Sequence, residues 1–167
     1  YAQDLKESAW TWEHQALVRA RLVVGHEHLQ RQFRDIRRVI LSQPRDNEKL
    51  HQDLCQMRQR MRDHHRSEHA SIVDFDLKHD PGGLIDIEFL CQYMILKHAS
   101  DHPELISFRA NRRIITELQN IGLFTAGDAS QLVGALDIYL AAENEIKLRR
   151  GESRVSNDRV ASEREAV

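Results

Sequence analysis

The 167 residues predict an all-α fold, a bundle of about six helices with one short extended segment and a Gly-Gly turn before the central helix. Three observations carry this. Apolar residues recur at spacings of three and four along almost the whole chain. Only seven Gly and three Pro interrupt them. No second stretch of alternating polarity appears that could pair with the extended one. With 41% hydrophobic and 30% charged residues, the composition is that of a globular chain with a core. A single helical-bundle domain over residues 1–167 is the expectation.

Ala9, Trp12, Ala16, Ala20 and Val23 follow the helical rhythm, and Trp10, Leu17 and Val24 widen the stripe. This first helix is expected to be deeply buried until Gly25 ends or bends it. Leu29, Phe33, Ile36 and Ile40 make a narrower stripe that Pro44 closes, and Leu50, Leu54, Met57 and Met61 repeat the arrangement. From Ser67 to Gly83 the pattern breaks. Ile72 and Val73 are β-branched neighbours, Asp74 to Leu77 alternate polar with apolar, and Pro81-Gly82-Gly83 makes a turn. Leu84 to about Lys97 is apolar on nearly every side, as a central helix must be. Ile114, Ile115, Leu118 and Ile121 mark a fifth helix, which Gly122 ends while Leu123 and Phe124 fold back. Thr125 with Asp128 three residues on predicts a capped start to the last long helix, whose Leu132, Leu136, Tyr139, Glu143 and Ile146 share a face.

The charge balance limits the partners. Lys and Arg (24) nearly match Asp and Glu (26), giving a formal net charge of −2 and no global field to draw the chain onto nucleic acid or anionic lipid. No run of about 18 apolar residues is present, so no membrane span is expected. Cys55 and Cys91, both inside apolar helical stretches and without a Cys-x-x-Cys pair, fit two reduced thiols in a cytoplasmic protein. Tyr1 opens in polar sequence and Glu165-Ala166-Val167 stops in mid-pattern, as expected of a fragment.

Candidate chemistry is sparse. Asp74-Phe75-Asp76 has the Asp-x-Asp spacing of a two-metal centre, yet no Gly-Ser phosphate turn precedes it, so a pair that caps or salt-bridges nearby Arg residues is expected. His65 and His69 are four apart, with His64 and His51 nearby, and His26 and His28 two apart. Set among solvated Arg and Glu without His-Glu-x-x-His spacing, they predict a wet polar face, and neither a metal ligand nor a catalytic residue is expected. Charges on apolar faces are more informative: Arg19 and Arg21 in the first helix, Glu88 and Gln92 in the central one, and Glu143 in the last. Burying them unpaired costs about several kcal/mol each, so they pair internally or border a partner. For Glu13, Gln92 and Glu143 internal pairing is expected. Lys78, His79 and Asp80 with Gly82 and Gly83 read either as a turn leading into a helix or as a loop of free N–H groups near a nucleotide phosphate.

Two segments resemble a known family. Trp12-Glu13-His14-Gln15-Ala16-Leu17-Val18-Arg19-Ala20-Arg21 looks like the Trp-Glu-His-Gln-Ala-Leu-x-Arg-Ala-Arg signature of glutamine synthetase adenylyltransferases. Asp76-Leu77-Lys78, Gly82-Gly83 and Asp86-Ile87-Glu88-Phe89 are similar to their Asp-Ile-Lys-x-x-x-Gly-Gly-x-x-Asp-Ile-Glu-Phe motif. Arg109-x-Asn111, Leu118, Gly122-Leu123 and Glu163-Arg164-Glu165 resemble later segments. The resemblance implies a duplicated enzyme in which each half has a nucleotidyltransferase domain followed by a helical bundle. One half removes AMP from glutamine synthetase and the other adds it, and Asp86-Ile87-Glu88-Phe89 is similar to the adding half.

The family's Gly-Gly-x-Glu-Leu and Ser-Asp-x-Asp elements, which bind ATP and Mg²⁺, are absent from this chain, as is its terminal Trp segment. The resemblance therefore implies a C-terminal regulatory and positioning domain, probed at Lys78, Gly82, Gly83, Asp86, Glu88, Arg19 and Arg21 as residues near the domain interface or nucleotide. It binds no cofactor itself. Implied partners are its own nucleotidyltransferase domain and glutamine synthetase, with PII and the effector glutamine as further candidates. Two alternatives stay open: the helical domain of a PII uridylyltransferase, and a PII-docking module without an active-site role.

Overall fold

The computed structural model describes residues 10–68, 74–149 and 154–167. Among them are seven α-helices: α1 Thr11–Arg19, α2 Glu27–Leu41, α3 Asn47–Glu68, α4 Leu84–His98, α5 Asn111–Asn120, α6 Ala126–Leu148 and α7 Ala161–Ala166. Two three-residue strands, β1 Asp74–Asp76 and β2 Arg154–Ser156, pair antiparallel with Phe75 opposite Val155. The all-α expectation holds, and β2 corrects the expectation of no second strand. A strand of three residues is too short for its alternation to stand out from the sequence. Ala9, His69, Ile72 and Val73 lie outside the described residues.

The chain divides into two compact units, residues 1–57 with 91–110 and residues 58–90 with 111–167. In the first, Leu17 and Val18 of α1, Ile40 and Leu41 of α2, Leu50 and Leu54 of α3, and Ile95 and Leu96 of α4 are buried. Each such side chain contributes about 1.5–3 kcal/mol of burial free energy. Two arginines close this unit. Arg37, only 3% exposed, donates Nε to the Leu17 carbonyl at 2.9 Å and its other nitrogens to the carbonyls of Val18 and Ile106. Arg45 donates to the carbonyls of Ile40 (2.9 Å), Leu41 (3.0 Å), Gln43 (2.8 Å) and Leu96 (3.2 Å). Most of these carbonyls lie in the last turns of helices, where few N–H partners remain and a cation is also favoured by the helix dipole. Burial, with the charge of Arg109, pulls Arg37 down to about 10, so it remains a cation at neutral pH.

The first helix differs from its sequence reading. It buries Gln15, Leu17 and Val18, while Trp12, Ala16, Arg19 and Arg21 are exposed. The expectation of a deeply buried helix carrying Arg19 and Arg21 on an apolar face is thus corrected. The helix also ends at Arg19, well before Gly25. Arg37 occupies the carbonyls of Leu17 and Val18 that the next helical turn would use. At the other end, the Glu13 carboxylate accepts the Trp10 N–H at 2.9 Å, closing the N-terminus.

In the second unit, Phe75 and Tyr139 are fully buried and pack with centroids 5.9 Å apart, while the Arg164 guanidinium lies 4.6 Å above the Phe75 ring. Helix α5 ends as predicted. Gly122 takes φ +78°, and the N–H groups of Leu123 (2.8 Å) and Phe124 (3.1 Å) return to the Leu118 carbonyl. Helix α6 starts as predicted, with the Asp128 N–H donating to Thr125 Oγ1 at 3.1 Å and the Thr125 N–H to Asp128 Oδ2 at 3.2 Å. Its predicted face is buried at Leu132, Leu136, Tyr139 and Glu143. Helix α3 runs on to Glu68, past the break expected at Ser67, because the charged sequence there still has good helix formers. Cys91 is buried, whereas Cys55 is exposed rather than sunk in an apolar stretch.

Candidate functional site

The motif residues of the second unit converge on one hydrogen-bonded turn between β1 and α4. Asp76 organises its start: Oδ1 accepts the backbone N–H groups of Lys78 (2.9 Å) and His79 (3.0 Å), as an Asp does in an Asx-turn. Asp80 then binds back, accepting the Asp76 N–H at Oδ2 (2.9 Å) and donating its own N–H to the Asp76 carbonyl (3.2 Å). Burial pushes the Asp76 carboxyl up, but the hydrogen bonds from Lys78 and His79 and the His79 imidazole outweigh it and hold it below its ordinary value.

Asp86, in the first turn of α4, organises the end. Its Oδ2 accepts the Gly82 N–H at 2.7 Å, and its Oδ1 accepts Arg58 Nε at 2.5 Å and Arg62 Nη2 at 3.3 Å. Arg58 also donates to the His79 carbonyl at 2.8 Å. A carboxylate at this helix end complements the dipole, and the Leu84 and Ile85 N–H groups find the carbonyls of Leu77 (2.8 Å) and Lys78 (3.2 Å). Both glycines are required. Gly82 has φ +84°, where a Cβ would come 2.8 Å from the Arg164 carbonyl oxygen, and a Cβ on Gly83 would come 2.8 Å from that of Leu77.

Lys78 reaches Glu143 of α6, with Nζ 2.9 Å from Oε1, and Lys147 adds a second contact at 3.1 Å. Burial alone raises the Glu143 carboxyl, yet the two lysines more than offset it and leave it below its ordinary value. The internal pairing expected of Glu143 is present. Gln92 is buried in α4, and Glu88 is half-buried on the same helix. Asp74 is exposed while Asp76 is buried, so the two carboxylates have different surroundings.

The turn does not fit a phosphate cradle. The Gly82 N–H is taken by Asp86, the Gly83 N–H by the Asp80 carbonyl at 3.0 Å, and the Lys78 ammonium by Glu143. What the arrangement does chemically is hold a loop of fixed shape between a strand and two helices.

Sequence reasoning reached Lys78, Gly82, Gly83 and Asp86, missed Arg58 and Arg62 on α3, and weighed His65 beside His69 rather than beside Asp76. Arg58 and Arg62 are four apart and so share a helix face, which was the available signal. His65 joins the site through Asp76: its Nε2 is 2.9 Å from Asp76 Oδ2, and its ring stacks on His79 with centroids 3.9 Å apart. In the first unit, Arg37 and Arg45 were missed because a buried arginine that serves carbonyls has no sequence partner to reveal it. Arg37, with Arg34, Arg38 and Arg109, lines a cleft of about 650 Å³ there.

A family model described as "GlnD PII-uridylyltransferase" matches residues 48–161, and one described as "Glutamate-ammonia ligase adenylyltransferase" matches residues 1–36. Three curated relatives carry the name bifunctional glutamine synthetase adenylyltransferase/adenylyl-removing enzyme. The protein of Idiomarina loihiensis is 42% identical over 100% of this chain and 17% of its own length. Those of Pseudomonas aeruginosa (38%) and Thioalkalivibrio sulfidiphilus (42%) align with 97% and 95% of this chain, and with 18% and 16% of themselves. The chain thus spans about a sixth of the length of these relatives. Residues 48–161 thus match the PII-uridylyltransferase model, and with relatives 38–42% identical along nearly all of it the chain belongs to the glutamine synthetase adenylyltransferase family.

Proposed function

We propose that this chain is the helical positioning domain of an enzyme that transfers AMP from ATP to a tyrosine of glutamine synthetase, and that its braced Gly-Gly turn sets the surface against which the nucleotidyltransferase domain works. The observation that carries the reading is the turn itself. Lys78, Gly82, Gly83 and Asp86, the residues similar to the family motif, are locked together by Arg58, Arg62 and Glu143. A loop whose polar groups are already satisfied presents a fixed shape, and pre-organisation of this kind lowers the entropy cost of docking. ATP and Mg²⁺ are then held by the catalytic domain.

Exposed apolar surface supports the same reading. Trp10, Trp12, Val23 and Val24 are 72%, 54%, 78% and 84% exposed. Large side chains left in water in one short stretch are what a docking partner covers. In the full-length enzyme, Asp86→Asn and Gly83→Ala are expected to lower kcat for AMP transfer to glutamine synthetase at least about ten-fold, as a misplaced catalytic surface does. Unchanged kcat in both variants would defeat the positioning role.

The match over residues 48–161 supports a second reading, the helical domain of a PII uridylyltransferase. The Trp12-Glu13-His14 segment, inside the region matched by the adenylyltransferase model, weighs against it. Supplying the full-length enzyme with ATP and glutamine synthetase, or with UTP and PII, discriminates: label on PII alone would favour the second reading. The same assay with PII and glutamine added tests whether either effector acts through this chain. No helix among the described residues is long and apolar enough to cross a membrane.

A further inference from the structure

We propose that His65, Asp76 and His79 form a binding site for one divalent transition-metal ion of the zinc class, a site separate from the Mg²⁺ chemistry of nucleotidyl transfer.

Three pieces of backbone deliver the three side chains: the last turns of α3, the end of β1, and the turn that follows it. One ligand atom from each residue lies within 4.8 Å of the others. His65 Nε2 is 2.9 Å from Asp76 Oδ2, and His79 Nδ1 is 3.2 Å from the same oxygen. In a tetrahedral zinc site with bonds of about 2.0–2.1 Å, ligand atoms stand about 3.3–3.4 Å apart. Two sides of the triad are within about 0.5 Å of that spacing, and the third, between the two imidazoles, is no longer than 4.8 Å.

The carboxylate is also oriented for the task. Oδ1 accepts the backbone N–H groups of Lys78 and His79, which fixes the plane of the group; Oδ2 faces the His65 imidazole, and His79 Nδ1 lies 3.2 Å from both oxygens. Hydrogen bonds to a ligating carboxylate are the outer support that metal sites use to hold their ligands. Stacking at 3.9 Å and 23° brings both imidazole edges to one oxygen. Asp76 is buried, whereas the His65 and His79 side chains are 20% and 33% exposed, so the site is shielded on one side and reachable from the other. A fourth position is left for water or an exogenous ligand. The C-terminal end of α3, with its partial negative charge, further favours a cation near His65.

The donor set selects the metal. Two imidazoles and one carboxylate suit Zn²⁺, Co²⁺, Ni²⁺ or Cu²⁺, whereas Mg²⁺ demands an octahedron of oxygens. A bound ion would clamp α3 to the strand and turn, adding a removable fastening to a loop otherwise held by hydrogen bonds. The spacing of His65 and His79, fourteen residues apart on different elements, conceals the pair from sequence patterns.

The test uses the full-length protein stripped by chelation and titrated with Co²⁺, read by its visible ligand-field absorption. The wild type is expected to bind one Co²⁺ with the intense bands of four-coordinate geometry, and Zn²⁺ is expected to displace it. His65→Asn and His79→Asn should each weaken this binding at least about ten-fold, while His64→Asn leaves it unchanged. Saturating Zn²⁺ should raise the thermal midpoint of the wild type and not of the two variants, since an ion bound by the folded state alone stabilises it. Absence of the bands in the wild type, or wild-type affinity in either His65→Asn or His79→Asn, overturns the proposal. X-ray absorption of the wild type loaded with one equivalent of Zn²⁺ gives a check that needs no variant: two imidazole ligands are expected, and fewer than two overturn it.

Discussion

The two compact units solve the same problem, a cation inside a helical core, in opposite ways. In the first, Arg37 and Arg45 meet no carboxylate among the described residues and donate to backbone carbonyls at or near helix ends. In the second, Arg58 and Lys78 meet Asp86 and Glu143 and thereby hold a glycine turn. Carbonyls cannot titrate and stay where the helix puts them, so the first network is architectural and does not respond to acid. Carboxylates change charge with pH, so the hold that Arg58 on α3 and Lys78 on the turn exert through Asp86 and Glu143 depends on pH. The difference teaches that the acceptor, not the cation, decides how each network answers acid.

Arg37→Ala is the largest expected break in this contrast. It removes a buried donor from three carbonyls and should cost roughly 3 kcal/mol or more, read as a lower urea midpoint. Arg37→Lys should recover less than half, because one ammonium cannot span three acceptors. A loss below 1 kcal/mol would mean the carbonyls find water, and the architectural assignment would fall.

Gly82→Ala comes next, at about 2 kcal/mol, from a left-handed residue and a clash with the Arg164 backbone. Gly122→Ala is its internal control: the same φ region, but nothing within 4 Å of the new Cβ, so only about 1 kcal/mol is expected. Equal losses at the two sites would remove the clash from the account.

The pH response separates the units further. Glu143 titrates below its ordinary value of 4.5 in the folded state, so its contribution is fully present above that value and is lost as pH falls through the folded pKa. Acid unfolding followed between pH 5 and about 2 should therefore become shallower in Glu143→Gln, and not in Arg45→Met. Parallel curves for wild type and Glu143→Gln would contradict the pairing.

Trp12→Ser should have the smallest effect on stability, within about 0.5 kcal/mol, because the ring lies mainly in solvent. Its effect on AMP transfer in the full-length enzyme should be the larger one, and equal activity would remove Trp12 from the proposed docking surface.

Much of the local structure was legible. The Thr125–Asp128 cap, the Gly122 terminus and the apolar face of α6 are written in residues three or four apart, and each appears as read. The first helix was not legible in the same way. Its apolar residues nearly encircle it, so periodicity alone could not choose between the Trp12–Ala16 side and the Leu17–Val18 side. Of the turn, the glycines, Lys78 and Asp86 stood out, while Arg58, 28 residues from Asp86, and His65, 11 from Asp76, did not.

By itself the sequence determined that the fold is helical, where α5 ends and where α6 begins, because the Gly122 terminus, the Thr125 cap and apolar spacing act over one turn of chain. Only the tertiary structure decided which face of α1 turns inward, that Arg154–Ser156 pairs with Asp74–Asp76, and which cation meets which acceptor. Those choices join residues tens of positions apart, where the energy comes from desolvation and geometry shared by several elements, and no local pattern encodes the partner.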